Sequence, residues 1–64
     1  MDAMDNWEMM NLGEVAEYLS VSVSTVRRLI NRGDDPMPHI RLGKYTIRVP
    51  RTHLNQWIQN NMEA

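Results

Sequence analysis

The sequence predicts a small α+β domain in which two short helices joined by a tight turn precede a β-hairpin and a closing helix. Three observations carry this. Apolar residues recur at helical spacing in three separate segments, over residues 12–19, 23–32 and 54–58. Residues 39–49 alternate apolar and polar about Gly43-Lys44. With 64 residues and no cysteine, the chain has room for one core and neither disulfides nor cysteine-ligated zinc to support it.

The first helix is expected over residues 12–19. Asn11 can accept a hydrogen bond at its start, and Glu14 has the spacing to reach back and close a capping box. Met10 and Val15 are placed as a hydrophobic staple, and Leu12, Val15, Ala16 and Leu19 form one face. Ser20-Val21-Ser22 interrupts the pattern, because serines compete for backbone hydrogen bonds. Val21 is expected buried in that turn. Ser22 caps the second helix, over residues 23–32, whose buried stripe is Val23, Val26, Leu29 and Ile30; Gly33 stops it. Two short helices joined this way make a helix-turn-helix.

Gly33 to Pro38 reads as a loop, and Asp34-Asp35 within it as turn chemistry. In the hairpin, a turn at Gly43-Lys44 puts Ile40 and Leu42 on the inner face with Ile47 and Val49. Arg41, Thr46 and Arg48 then face outward. Tyr45 is inward by parity but stands at the hairpin tip; it is expected to pack on the wing, with contact to DNA as the alternative. Pro50 ends the strand and opens the last helix, with Leu54, Trp57 and Ile58 inward and Met62 extending the stripe if the helix persists. The chain has no phenylalanine, two tryptophans and two tyrosines, so Trp57 is expected to be a principal core residue. Residues 1–9 are expected to form a partly ordered arm, with one helical turn possible at Asp5–Glu8. Residues 10–62 form the domain.

Charge points to function. The first 26 residues hold Asp2, Asp5, Glu8, Glu14 and Glu17 and no lysine or arginine, a block of −5. Residues 27–51 hold all seven cations, Arg27, Arg28, Arg32, Arg41, Lys44, Arg48 and Arg51, against Asp34 and Asp35, a block of +5. The net charge of −1 hides this segregation, which suits one surface for a polyanion and another that stays off it. On the second helix, at about 100° per residue, Ser24, Arg28 and Asn31 lie opposite the apolar stripe. Arg27 and Arg32 lie on its flanks, and Thr25 near its edge. Short hydroxyls, an amide and guanidiniums match phosphates and base edges of the major groove. Ser22 and the free amides at the helix start can hold a phosphate. Lys44 at the hairpin tip can reach a minor groove. Arg41, Arg48 and Arg51 extend the positive edge. The plainer alternatives are a solvated arginine face, Thr25 as a helix-edge residue and Asn31 as a helix terminator. His39 and His53 lack ligand spacing, and no catalytic triad, phosphate loop or carboxylate pair is present. Neither an enzyme, a metal site nor a cofactor is expected.

The run from Met10 to Gly33, with Ile40-Arg41-Leu42-Gly43-Lys44, Ile47-Arg48-Val49-Pro50-Arg51, Leu54 and Trp57, resembles the excisionase family of MerR-like winged helix-turn-helix domains. The resemblance covers residues 10–58. It implies a winged helix-turn-helix fold and double-stranded DNA binding without catalysis. The implied contacts are Ser22, Ser24, Thr25, Arg27, Arg28 and Arg32 in the helix, and Arg41, Lys44 and Arg48 in the wing. It also implies a recombination directionality factor that binds repeated sites cooperatively, bends DNA and directs an integrase toward excision of a phage or mobile element. The hairpin is about one residue longer than the family's usual wing, and Asp34-Asp35 lengthens the loop before it. The chain ends soon after Trp57, where regulators of MerR type continue into a dimerisation helix. Side-by-side self-association on DNA is therefore expected rather than a stable dimer.

Alternatives from the same chemistry are a small transcriptional regulator of a prophage or mobile element, and the DNA-binding part of a larger protein. From another class comes a protein-interaction module that works through Trp7 and the methionines of the arm. No apolar run approaches the roughly 20 residues needed to cross a bilayer, and the N-terminus lacks the basic start of a secretory signal. The expected location is the cytoplasm, in association with the nucleoid.

Overall fold

The computed structural model describes residues 8–63. Its elements run β1 (Met9–Met10), α1 (Leu12–Leu19), α2 (Val23–Asn31), β2 (Ile40–Arg41), β3 (Ile47–Pro50) and α3 (Arg51–Asn60). This is a small α+β winged helix-turn-helix. Instead of a two-stranded hairpin alone, it has a three-stranded antiparallel sheet of order β1-β3-β2. The extra strand comes from Met9 and Met10, which pair with Pro50 and Val49. The Arg51 amide extends the ladder by donating to the Glu8 carbonyl at 2.8 Å. Glu8 and Met9 thus join the sheet although the sequence reading places them in the arm. The expectations for Trp7, Met1, Met4 and a turn at Asp5 lie outside the described residues.

Local chemistry explains the two helix boundaries that shape the helix-turn-helix. The capping box forms as expected: the Glu14 amide donates to Asn11 Oδ1 and the Asn11 amide to Glu14 Oε1, both at 2.8 Å. At the far end Ser20 takes φ 59°, ψ 44°. There the Val21 amide bonds the Ala16 carbonyl at 2.9 Å and the Ser20 amide bonds that of Glu17 at 3.2 Å, which together make a Schellman motif. That position favours glycine, because a Cβ in the left-handed region costs about 1–2 kcal/mol. Ser20→Gly relieves this strain but frees the unfolded chain. It should raise stability by about 0.5–1 kcal/mol, read as a shift of the urea midpoint; an unchanged or lower midpoint would show that Ser20 sits there without strain.

The core consists of Met10, Val15, Ala16, Val26, Ile30, Met37, Val49 and Leu54, with Leu12, Leu19, Leu29, Ile47, Trp57 and Ile58 packed around it. Met37 lies in a segment whose proline and glycine chemistry predicts a loop, yet its side chain is fully buried. Pro36 and Pro38 hold the chain extended on both sides of it, and its amide donates to the Leu29 carbonyl at 3.0 Å, at the end of α2.

Several residues with inward spacing are not buried. Val21 and Val23 are exposed rather than buried, because they stand at the turn and in the first turn of α2, where no element covers them. Trp57 is half-buried at the edge of the core rather than central. Its indole N–H is satisfied by the Asp35 carbonyl at 3.1 Å. Met62 lies beyond the end of α3 and is exposed.

The hairpin register also differs. Ile40 pairs with Arg48 and Arg41 with Ile47, and the Leu42 amide bonds the Thr46 carbonyl at 2.8 Å. The loop is therefore Gly43-Lys44-Tyr45, one residue longer than the expected two. A one-residue slip exchanges the faces of a strand. Ile47 and Val49 keep the inner face. Ile40 and Leu42 lie on the face of Arg48, and Arg41 lies on the face of Ile47. Leu42 is 65% exposed as a result. Tyr45 sits in the loop at 87% exposure and does not pack on the wing.

Candidate nucleic-acid interface

The free side of α2 follows from its buried side. Val26 and Ile30 face the core, so Ser24, Arg27, Arg28 and Asn31 are exposed and Thr25 is half-buried at the margin. Ser22 caps the helix: its hydroxyl oxygen accepts from the Thr25 amide at 3.1 Å. The same oxygen lies 3.0 Å from the Thr25 hydroxyl. The Thr25 hydroxyl oxygen in turn accepts from the Arg28 guanidinium at 3.1 Å. Ser22, Thr25 and Arg28 therefore form a continuous ladder at i, i+3, i+6 along the start of α2. Its effect is to order a long side chain. One Arg28 N–H is held by Thr25, and the rest of the fork is left for a ligand. Ordering before binding lowers the entropy cost of contact. Asn31 donates to the Arg27 carbonyl at 2.9 Å, which helps end the helix.

The seven cations divide into two groups. Arg27, Arg28, Arg41 and Lys44 are exposed, and Arg48 is half-buried with its guanidinium donating to the Ile47 carbonyl at 2.9 Å. Arg32, also exposed, and Arg51, half-buried, are instead engaged by partners within the domain. Arg32 stacks on Trp57 at 5.3 Å from the ring centroid and donates from Nε to the Asp35 carbonyl at 2.9 Å. It also pairs with the Asp35 carboxylate at 3.6 Å. Asn61 donates to that carboxylate at 3.2 Å and to the Trp57 carbonyl at 2.8 Å. This clasp joins the ends of α2 and α3 and holds Asp35 at φ 50°, a left-handed position that asparagine and aspartate tolerate better than most residues. Asp35 is thus turn chemistry, as its sequence context suggested.

Arg51 pairs with Glu8 at 3.0 Å and stacks on Tyr18 at 5.1 Å from the ring centroid. The Tyr18 hydroxyl donates to Asn55 at 2.7 Å. Arg51 is thereby turned toward the acidic side of the molecule, where Glu8, Glu14 and Glu17 line a shallow cleft with Tyr18.

Two exposed apolar residues near these cations escaped the sequence reading. Val23 fits the 3.6-residue period of the buried stripe, and only its position in the first turn of α2 signals that it stands clear. Strand parity about a two-residue turn predicts an inward Leu42, but parity depends on loop length. Among the described residues no group of three or more His, Cys, Asp or Glu side chains is placed to hold a metal ion, and no helix is long and apolar enough to cross a membrane.

The sequence profile of a family described as helix-turn-helix domain matches residues 9–62. Comparison with curated proteins and with solved structures gives no match.

Proposed function

Because the chain belongs to the helix-turn-helix domain family, a family of DNA-binding domains, we propose that it reads double-stranded DNA with α2 in the major groove and the β2–β3 loop at an adjacent minor groove. The observation that carries this reading is the Ser22–Thr25–Arg28 ladder on the free side of α2. It stands in a chain whose cations all follow residue 26. Ser22 and the free amides of the helix start hold a phosphate, which fixes register. Arg28 takes guanine O6 and N7, and Ser24, Arg27 and Asn31 meet neighbouring edges or phosphates. Arg41, Lys44 and Arg48 follow the backbone into the minor groove. Arg32 and Arg51, bound within the fold, add positive potential rather than a free fork. The acidic side of α1 faces away from the duplex.

Salt dependence tests the electrostatic part. Log affinity for a duplex should fall linearly with log salt, with a slope of about −0.9 per phosphate contact. Lys44→Ala should reduce that slope by about one unit. An unchanged slope would place the loop tip off the backbone.

Within this chemistry the role proposed is that of an excisionase. It binds repeated sites side by side, bends the DNA and helps an integrase toward excision. The family resemblance of residues 10–58 supports it. Footprinting on the DNA flanking the encoding gene distinguishes the roles. Protected direct repeats beside an integrase attachment site are expected; protection confined to promoter elements would mean a transcriptional regulator instead.

A further inference from the structure

We infer that Leu42 and Tyr45 form an apolar wedge at the wing tip that enters the minor groove, opens one base step and kinks the duplex. The inference rests on the DNA-binding reading above and adds to it the two side chains that deform the DNA.

Leu42 and Tyr45 are 65% and 87% exposed, and Tyr45 exceeds every other exposed large apolar residue described. A single exposed leucine is ordinary. Here a leucine at the base of the loop and an aromatic ring within it stand two loop residues apart, and both are mostly exposed. A Cβ added at the intervening Gly43 would meet no atom within 4 Å. The tip is narrow, since the bond between the Leu42 amide and the Thr46 carbonyl closes the loop to three residues.

The charge around the wedge identifies its occupant. Lys44 lies between the two residues in sequence, with its ammonium 5.7 Å from the Tyr45 ring centroid. Arg41 and Arg48 stand on opposite faces of the strands just behind. A site complementary to this tip is a slot with anionic rims and an apolar, stacked interior. A duplex minor groove has that form, with phosphates at its edges and the faces of base pairs inside. Inserted apolar side chains there trade unstacking for a bend of about 20–90°. Pyrimidine–purine steps open most easily, so the wedge also confers selectivity at a step that no hydrogen bond reads.

The test uses the whole chain and a duplex selected from a random pool by the wild-type protein. End-to-end fluorescence transfer reads the bend, and 2-aminopurine placed along the site reads unstacking. The wild type should bend the duplex and brighten 2-aminopurine at one step. Leu42→Ser/Tyr45→Ser should lose most of the bend and the brightening, with affinity reduced by about tenfold and the salt slope unchanged. Both side chains are exposed, so the variant keeps the wild-type urea midpoint. Tyr45→Phe should retain the bend, because the ring and not the hydroxyl enters the stack.

A double variant that bends the duplex as the wild type does would overturn the wedge while leaving DNA binding intact. So would a wild type that binds without bending. Adsorption to anionic lipid vesicles that depends on Leu42 and Tyr45, with duplex bending unaffected, would assign the tip to a membrane surface and equally overturn it. Failure of the wild type to retain any duplex would instead bring down the DNA-binding reading itself, and the wedge with it.

Discussion

Met37→Ala should destabilise the domain by about 2–5 kcal/mol, the range for truncating a buried methionine. Met37 is fully buried and belongs to the same cluster as Val26, Ile30, Val49 and Leu54. It enters that cluster from the loop after α2, so the cavity it leaves lies among elements distant in sequence. A single core in a chain this short rarely supplies more than about 3–5 kcal/mol in all. The substitution should therefore leave much of the protein unfolded at 25 °C, as seen by circular dichroism in a urea titration. Met37→Leu keeps most of the volume and should cost less than about 1.5 kcal/mol. A urea midpoint for Met37→Ala equal to that of the wild type would mean that the loop, and not the side chain, fills the space.

Arg28→Ala carries the largest expected effect on recognition. A bidentate arginine–guanine contact is worth about 1–3 kcal/mol of discrimination, so binding to a selected site should weaken by roughly 5- to 150-fold. Binding to random duplexes should change much less. The loss includes the ladder that orders the guanidinium, because Thr25 then has no arginine to hold. Arg28 is exposed at the surface of α2, so folding should be unaffected and the effect falls on the interface alone. Equal loss on selected and random duplexes would reduce Arg28 to a phosphate contact.

The parts of this molecule that were legible in the sequence are those with a local cause. The α1 boundaries follow from Asn11 and Glu14, whose side chains settle the helix start without help from the rest of the chain. The start of α2 follows from Ser22, and its free side from the period of Val26 and Ile30. What was not legible depends on distant partners or on counting. Strand β1 exists only because β3 offers Val49 and Pro50 as partners for two methionines. Met37 is buried because the prolines beside it aim the chain at a core assembled from other segments. The faces of Ile40, Leu42 and Arg41 turned on whether the loop has two residues or three, and nothing in Gly43-Lys44-Tyr45 alone decides that.

The candidate site divides in the same way. The pattern on α2 was readable from Ser22 to Arg28, but the hydrogen-bonded ladder that unites Ser22, Thr25 and Arg28 was not. Arg32 and Arg51 looked equivalent to the other cations because their partners Trp57, Asp35, Glu8 and Tyr18 are identified only by the tertiary contacts.

The central claim is that the free side of α2 and the cationic wing engage one duplex together. Backbone amide NMR during titration with a selected duplex tests it most directly. Salt-sensitive perturbations should appear together at Ser22 to Arg28 and at Arg41 to Arg48, with Glu14 and Glu17 silent. Perturbation centred on the acidic side of α1, or confined to only one of the two basic segments, would contradict the claim.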